Sequence, residues 1–115
     1  AVAGVSSNED KFGFKIFRDL IGAGCTVYGV NPKGGAALGR ELYKTLAALP
    51  QKPELVITVV PPAATEKLVD ECIALGVKTI WMQPGSESDG AIDKARAAGL
   101  EVTARACFMV KFGIW

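Results

Sequence analysis

Residues 54–83 read ELVITVVPPAATEKLVDECIALGVKTIWMQ, and this stretch decides the fold. Glu54 to Val60 is a run of aliphatic and β-branched residues without strict polar alternation, as expected of a strand covered on both faces. Pro62 follows at a position suited to a first helical turn, where its missing N–H costs nothing. Leu68, Val69, Cys72 and Ile73 then recur at helical spacing, and Gly76 can adopt the left-handed conformation that stops a helix. Val77 to Met82 reads as the next strand. The whole is a βαβ unit, which requires parallel strands.

Working outward from that unit, the same grammar repeats. On the carboxyl side, Ser86 and Asp89 have capping-box spacing, Ile92, Ala95 and Ala98 supply an apolar side, Gly99 closes the helix, and Leu100 to Ala104 is the last strand. On the amino side, Ala1 to Val5 is a short apolar strand, and Gly4 to Gly13 supplies loop residues. A helix from Phe14 carries Phe17, Leu20 and Ile21 and ends near Gly22 and Gly24, and Cys25 to Val30 is the second strand. Helix, glycine and strand thus succeed one another at Gly24, Gly76 and Gly99. The expected architecture is α/β: one three-layer Rossmann-like domain over residues 1–115, with a five-stranded parallel sheet in the order 3-2-1-4-5 and helices on both faces. Lys33 to Pro53 is longer than one crossover turn needs. Its Leu42, Leu46 and Leu49 suggest a short strand and a helical turn packed over the sheet edge.

The composition bounds the function. Among 115 residues, 50% hydrophobic content and 22% charge suit a folded core, and a net charge of +1 gives no basic field for reading nucleic acid. The three cysteines are widely spaced and no histidine is present to complete a zinc site, so reduced thiols in a cytoplasmic protein are expected. No apolar run approaches the roughly 18 residues of a membrane span, and no signal-like segment opens the chain. The chain begins in an apolar strand without Met and ends in Lys-Phe-Gly-Ile-Trp, from which missing segments at one or both ends are expected.

Ligands of such sheets sit beyond the carboxyl ends of the strands, so the loops there are the candidate site. Gly4, Val5, Ser6, Ser7 and Asn8 leave the first strand and lead through Lys11 into a helix whose free N–H groups favour an anion such as a pyrophosphate. The dinucleotide pattern G-x-G-x-x-G is absent, because Ser6 stands where its second glycine belongs. After the second strand, Asn31, Pro32 and Lys33 occupy the place where an NAD site carries an acidic residue. The reversed charge favours a ligand with a phosphate on its adenosine ribose, either coenzyme A or NADP. Val60, Pro61 and Pro62 form a stiff apolar ledge after the third predicted strand, and Met82, Gln83 and Pro84 leave the fourth. Each loop alone also reads as ordinary turn and cap chemistry.

Taken together, the loops Gly4-Val5-Ser6-Ser7-Asn8, Val30-Asn31-Pro32-Lys33-Gly34-Gly35, Val59-Val60-Pro61-Pro62, Trp81-Met82-Gln83-Pro84-Gly85 and the pair Ala106-Cys107 resemble those of the small CoA-binding domain proteins. They are also similar to the amino-terminal CoA-binding domain of the succinyl-CoA synthetase α subunit. The resemblance covers nearly the whole chain and implies that coenzyme A or an acyl-CoA is the ligand. It implies Ser6, Ser7, Asn8, Lys33, Met82 and Gln83 as leading contacts, Pro61 and Pro62 as the family's ledge, and Cys107 as a cysteine after the fifth strand. Ser7 departs from a glycine of the synthetase loop. The synthetase also needs a phosphorylated histidine on a separate domain, and this sequence has no histidine. Ligase activity is therefore not carried over.

No convincing acid–base pair is present, so the expectation is a binding protein without evident catalytic machinery. Two other readings are an NADP-binding oxidoreductase-like module and a detached nucleotide-binding domain of an acyl-CoA synthetase. Cys107 reads either as a reactive thiol or as a small buried hydrophobe. Tyr28, Trp81, Phe108, Phe112 and Trp115 do not interleave with basic residues as a nucleic-acid platform would. The apolar residues from Phe108 to Trp115 need cover from the sheet or from a second subunit, and a homodimer is one expectation.

Overall fold

The computed structural model describes all 115 residues. A single sheet contains β1 (Val2–Ala3), β2 (Gly29–Val30), β3 (Ala36–Ala37), β4 (Arg40–Tyr43), β5 (Leu55–Thr58), β6 (Thr79–Met82) and β7 (Glu101–Ala104). Four helices accompany it: α1 (Phe12–Gly22), α2 (Pro62–Leu75), α3 (Asp89–Ala97) and the short α4 (Phe108–Lys111). The spatial order is β3-β4-β2-β1-β5-β6-β7; all neighbours are parallel except the β3–β4 hairpin.

This corrects the expected five-stranded parallel sheet. The five strands read from the apolar runs lie in the order 2-1-3-4-5, because β5 pairs with β1 and not with an outer strand. The place beyond β2 is taken by β4, from the segment whose Leu42 suggested a strand at the sheet edge, and the helical turn expected there is Leu46–Ala48. The physical reason is length. The chain between β2 and β5 is long enough to build its own edge strand before crossing back over β1. The hairpin turn is left-handed at both Leu38 (φ 53°) and Gly39 (φ 72°), which makes β3 antiparallel to β4.

Strand alternation divides the core into two apolar layers. Ala3, Val56, Ile80 and Met82 face α2 and α3, where they pack with Leu68, Val69, Cys72, Ala91, Ile92 and Ala95. Val2, Ile57 and Trp81 face the opposite way, onto Phe14, Phe17 and Leu20 of α1 and Met109 of α4. The helices thus cover both faces, as the parallel strands require. Gly76 ends α2 in the left-handed conformation (φ 74°) and Pro62 opens it, as expected from sequence. The first helix starts two residues earlier than expected, at Phe12. The cap of α3 also differs: Ser88, not Ser86, is the N-cap and accepts the Ala91 N–H at 3.0 Å.

Candidate functional site

From β1 the chain runs outward through β2 to β4, then crosses back to β5 on the other side of β1 and continues outward to β7. The strand order reverses between β1 and β5. Helix α1 leaves β1 toward one face and α2 leaves β5 toward the other, so a crevice opens at their carboxyl ends.

Close approach across that crevice is built on glycine. Gly4 has φ 105°, and a Cβ there would collide with the Val59 carbonyl. A Cβ on Gly13 would fall on the Gly4 carbonyl, so the second residue of α1 sits against the end of β1 for want of a side chain. Gly13 was not among the expected site residues. The readable signal was a glycine flanked by phenylalanines in an otherwise apolar helix start, a position that costs helix stability unless close packing needs it.

Between these glycines the loop is held by its own polar side chains. Ser6 Oγ accepts the Asn8 N–H at 3.2 Å and Asn8 Oδ1 accepts the Asp10 N–H at 3.0 Å. Ser7, Asn8 and Lys11 are exposed, whereas Val5 is buried. No side chain caps α1, so its first-turn N–H groups remain free for an anion. Glu9 and Asp10 lie beside Lys11 on this loop and Lys15 follows within α1, so the side-chain charges roughly cancel. Backbone N–H groups, not net charge, are what this loop offers a phosphate.

Asn31 joins this loop to the next. Its Nδ2 donates to the Val5 carbonyl at 2.9 Å, and its Oδ1 accepts the Lys33 N–H at 2.9 Å. Pro32 and Lys33 are exposed, and the Lys33 ammonium makes no ion pair within the chain. Across the crevice, α2 begins at Pro61–Pro62 and is likewise uncapped by any side chain. Val60, Pro61 and Pro84 share a hollow of about 270 Å³ with Val59, Gly85 and Ser86. The ledge and the fourth loop are therefore two walls of one cleft.

Met82 and Gln83 sit differently from the rest. The whole of Met82 is buried: its side chain packs in the core under α2 and α3 and its backbone is paired between β5 and β7, so it does not reach the rim. Gln83 is 5% exposed and its amide is already engaged: Oε1 accepts the Phe108 N–H at 2.7 Å and Nε2 donates to Cys107 Sγ at 3.3 Å. Ser86 Oγ binds Thr58 Oγ1 at 2.8 Å and the carbonyls of Thr58 and Gln83 at 3.1 and 2.7 Å, which pins the loop to β5. Burial tends to raise the Cys107 thiol, but the Gln83 amide and the backbone N–H groups of Val110 and Met109 outweigh it and hold the pKa below the usual thiol value. Burial pushes Cys72 up to about 12.

A larger hollow of about 480 Å³ lies at the amino ends of the strands, among Ala1, Cys25, Tyr28, Gln51 and Glu54. It contains none of the expected site residues and lies away from the reversal of strand order. The cleft between β1 and β5 is the candidate site.

Fold and cleft define a nucleotide-binding domain of the Rossmann-like class. Residues 1–113 match the family model described as CoA binding domain, and the chain belongs to that family. It is 40% identical over 72 residues to the ADP-forming acetate–CoA ligase I of Archaeoglobus fulgidus, a match covering 63% of this chain and 10% of that protein. The chain spans between a tenth and a fifth of the curated relatives it matches. Among solved structures, a conserved hypothetical protein from Pyrococcus furiosus superposes with a TM-score of 0.90 at 33% identity, over 96% of this chain and 95% of that one. The apo dinucleotide-forming acetyl-coenzyme A synthetase 1 of Candidatus Korarchaeum cryptofilum gives a TM-score of 0.72 at 25% identity, over 88% of this chain and 25% of that one. No helix is long and apolar enough to cross a membrane.

Proposed function

We propose that this chain binds coenzyme A or an acyl-CoA in the cleft between β1 and β5, as a binding module comparable to the nucleotide domain of an acyl-CoA synthetase. The observation that carries the reading is the pair of uncapped helix starts, α1 and α2, which leave opposite faces of the sheet where the strand order reverses. The pyrophosphate sits on the Gly4–Asn8 loop and the first turn of α1, with Lys11 at its edge. Asn31 holds that loop beside Pro32 and Lys33, and Lys33 pairs with the ribose phosphate. The adenine or pantetheine lies along Val60, Pro61, Pro62 and Pro84. Gln83 acts by fixing the rim, and Met82 by packing beneath it.

A ligand that binds the folded state raises its stability by mass action, about 2.7 kcal/mol at a hundred times Kd. Thermal-shift and calorimetric titration with CoA, dephospho-CoA, NADP and NAD therefore tests the reading. CoA is expected to stabilise the protein most. Lys33→Ala should weaken CoA about tenfold and dephospho-CoA hardly at all, as loss of one charge-assisted contact implies. Equal losses would remove Lys33 from the ribose phosphate, and selective stabilisation by NADP would replace CoA as the ligand.

A further inference from the structure

The turn after β2 carries Lys33, and a second cation lies over it from the neighbouring strand. Gly34 is left-handed (φ 68°), and a Cβ there would stand 3.2 Å from Lys44 Cε and 3.6 Å from Lys44 Cγ. The stem of Lys44, which follows the carboxyl end of β4, therefore lies across the turn at the residue after Lys33. Its ammonium is one bond beyond Cε. The backbone fixes this arrangement: β2 and β4 pair at Val30 and Tyr43, and the Asn31 N–H donates to the Tyr43 carbonyl at 2.8 Å. The Gly34 N–H donates to the Asn31 carbonyl at 2.8 Å, and the Leu42 N–H to the Gly35 carbonyl at 2.9 Å.

Both lysines are exposed, and neither makes an ion pair within the chain. No acidic residue occurs between Asp19 and Glu41. Glu41 stands opposite Ala36 in the β3–β4 hairpin, and Glu71 of α2 accepts the Leu46 N–H at 3.1 Å. The contrast is with the Gly4–Asn8 loop, where Glu9 and Asp10 stand beside Lys11 and backbone N–H groups are what an anion meets. Two ammoniums at one turn repel each other until an anion shares them. A phosphate monoester carries a charge of about −1.5 to −2 at neutral pH, so one lysine leaves it under-neutralised and two match it. The Asn31 bond to the Val5 carbonyl places this turn beside the first loop, as a nucleotide reaching from pyrophosphate to ribose requires.

We propose that Lys44 is a second cation for the ribose phosphate, and that Lys33 and Lys44 together select coenzyme A over its dephospho form. The proposal rests on the CoA reading above and adds a specificity-determining residue to it. Calorimetric titration of CoA and dephospho-CoA tests it on Lys44→Met, which keeps a stem over Gly34 and removes the charge. CoA should weaken about three- to fivefold at low salt, as loss of one exposed charge pair implies, and dephospho-CoA less than about 1.5-fold. Lys44→Arg should keep CoA within about twofold of the parent, because the charge is retained. Lys33→Ala combined with Lys44→Met should bind the two ligands equally. Raising KCl from about 20 to about 300 mM should shrink the preference for CoA in the parent and shrink it less in Lys44→Met, because screening acts on the charge that the variant lacks.

An unchanged preference for CoA in Lys44→Met, with CoA still bound, would overturn the role of Lys44 and leave the CoA reading standing. Equal losses for CoA and dephospho-CoA would also overturn it, by assigning Lys44 to the shape of the turn or to a part of the ligand that both share. The same salt response in parent and Lys44→Met would remove the charge from the argument. Failure of the parent to bind either ligand would overturn the CoA reading together with the proposal. A urea midpoint of Lys44→Met equal to that of the parent checks that the fold is kept, as expected of an exposed side chain.

Discussion

Gly4 concentrates the cost of building the cleft into one residue. Its φ of 105° is closed to ordinary side chains, and a Cβ would strike the Val59 carbonyl, so Gly4→Ala must distort the junction of β1 and β5. Loss of about 2–4 kcal/mol is expected, read as a lowered urea midpoint. Gly22 is the control: nothing lies within 4 Å of its would-be Cβ, and alanine there should be neutral or stabilising by up to about 1 kcal/mol. Equal effects at the two positions would refute the close-approach argument. The thiols give a second residue-scale expectation. Thiolate is the reactive form, so the lowered Cys107 pKa means alkylation reaching half its maximal rate at a lower pH than an ordinary thiol, while buried Cys72 stays inert in the folded protein. Gln83→Leu removes one of the contacts that favour the thiolate and should move the Cys107 midpoint upward. Peptide mapping after iodoacetamide pulses across pH measures it, and an unmoved midpoint would show that Gln83 does not tune the thiol.

At the level of elements, the two serines near α3 separate a cap from a clamp. Ser88→Ala should cost about 1 kcal/mol, the usual price of one N-cap. Ser86→Ala removes a buried hydroxyl that bridges β5 and the loop after β6, leaving Thr58 Oγ1 without its partner, and should cost about 1–3 kcal/mol. Chemical denaturation of both variants would reveal the order, and a costlier Ser88→Ala would invert the assignment. The same pair shows what the sequence discloses. Strands and helices were legible from apolar runs closed by glycine, because Gly76 ends its helix in the conformation that only glycine takes cheaply. Spacing alone chose Ser86 as the cap, since it cannot distinguish a hydroxyl facing a helix start from one turned into the core. The edge strand β4 was only hinted at: Arg40 and Glu41 are exposed and Leu42 alone is buried, so little apolar pattern marks it, yet it completes the strand order. Of the site, the loops were legible as loops. The burial of Met82 and the engagement of Gln83 were not, because both depend on which face the end of β6 presents and on where α4 docks.

For the molecule as a whole, a sheet buried between two helical layers should not open uniformly. β1, β5 and β6 are each paired on both sides, and Val2, Val56 and Ile80 are fully buried. The β3–β4 hairpin lies at one edge with most of its side chains exposed, and β7 forms the other edge. Amide exchange should therefore be slowest in β5 and β6, set by global unfolding, and fastest in the hairpin and the loop from Ser6 to Lys11, where local opening suffices. CoA adds a distinct signature. If the cleft between β1 and β5 is the site, CoA should protect the first turn of α1 and the backbone around Val60 and Ala63 beyond the uniform slowing that mass action brings to the core. NAD at the same concentration should leave those amides unchanged. Protection confined instead to residues 25–28 and 51–55 would place the ligand in the hollow at the amino ends of the strands, and the reversal of strand order would then have no part in binding.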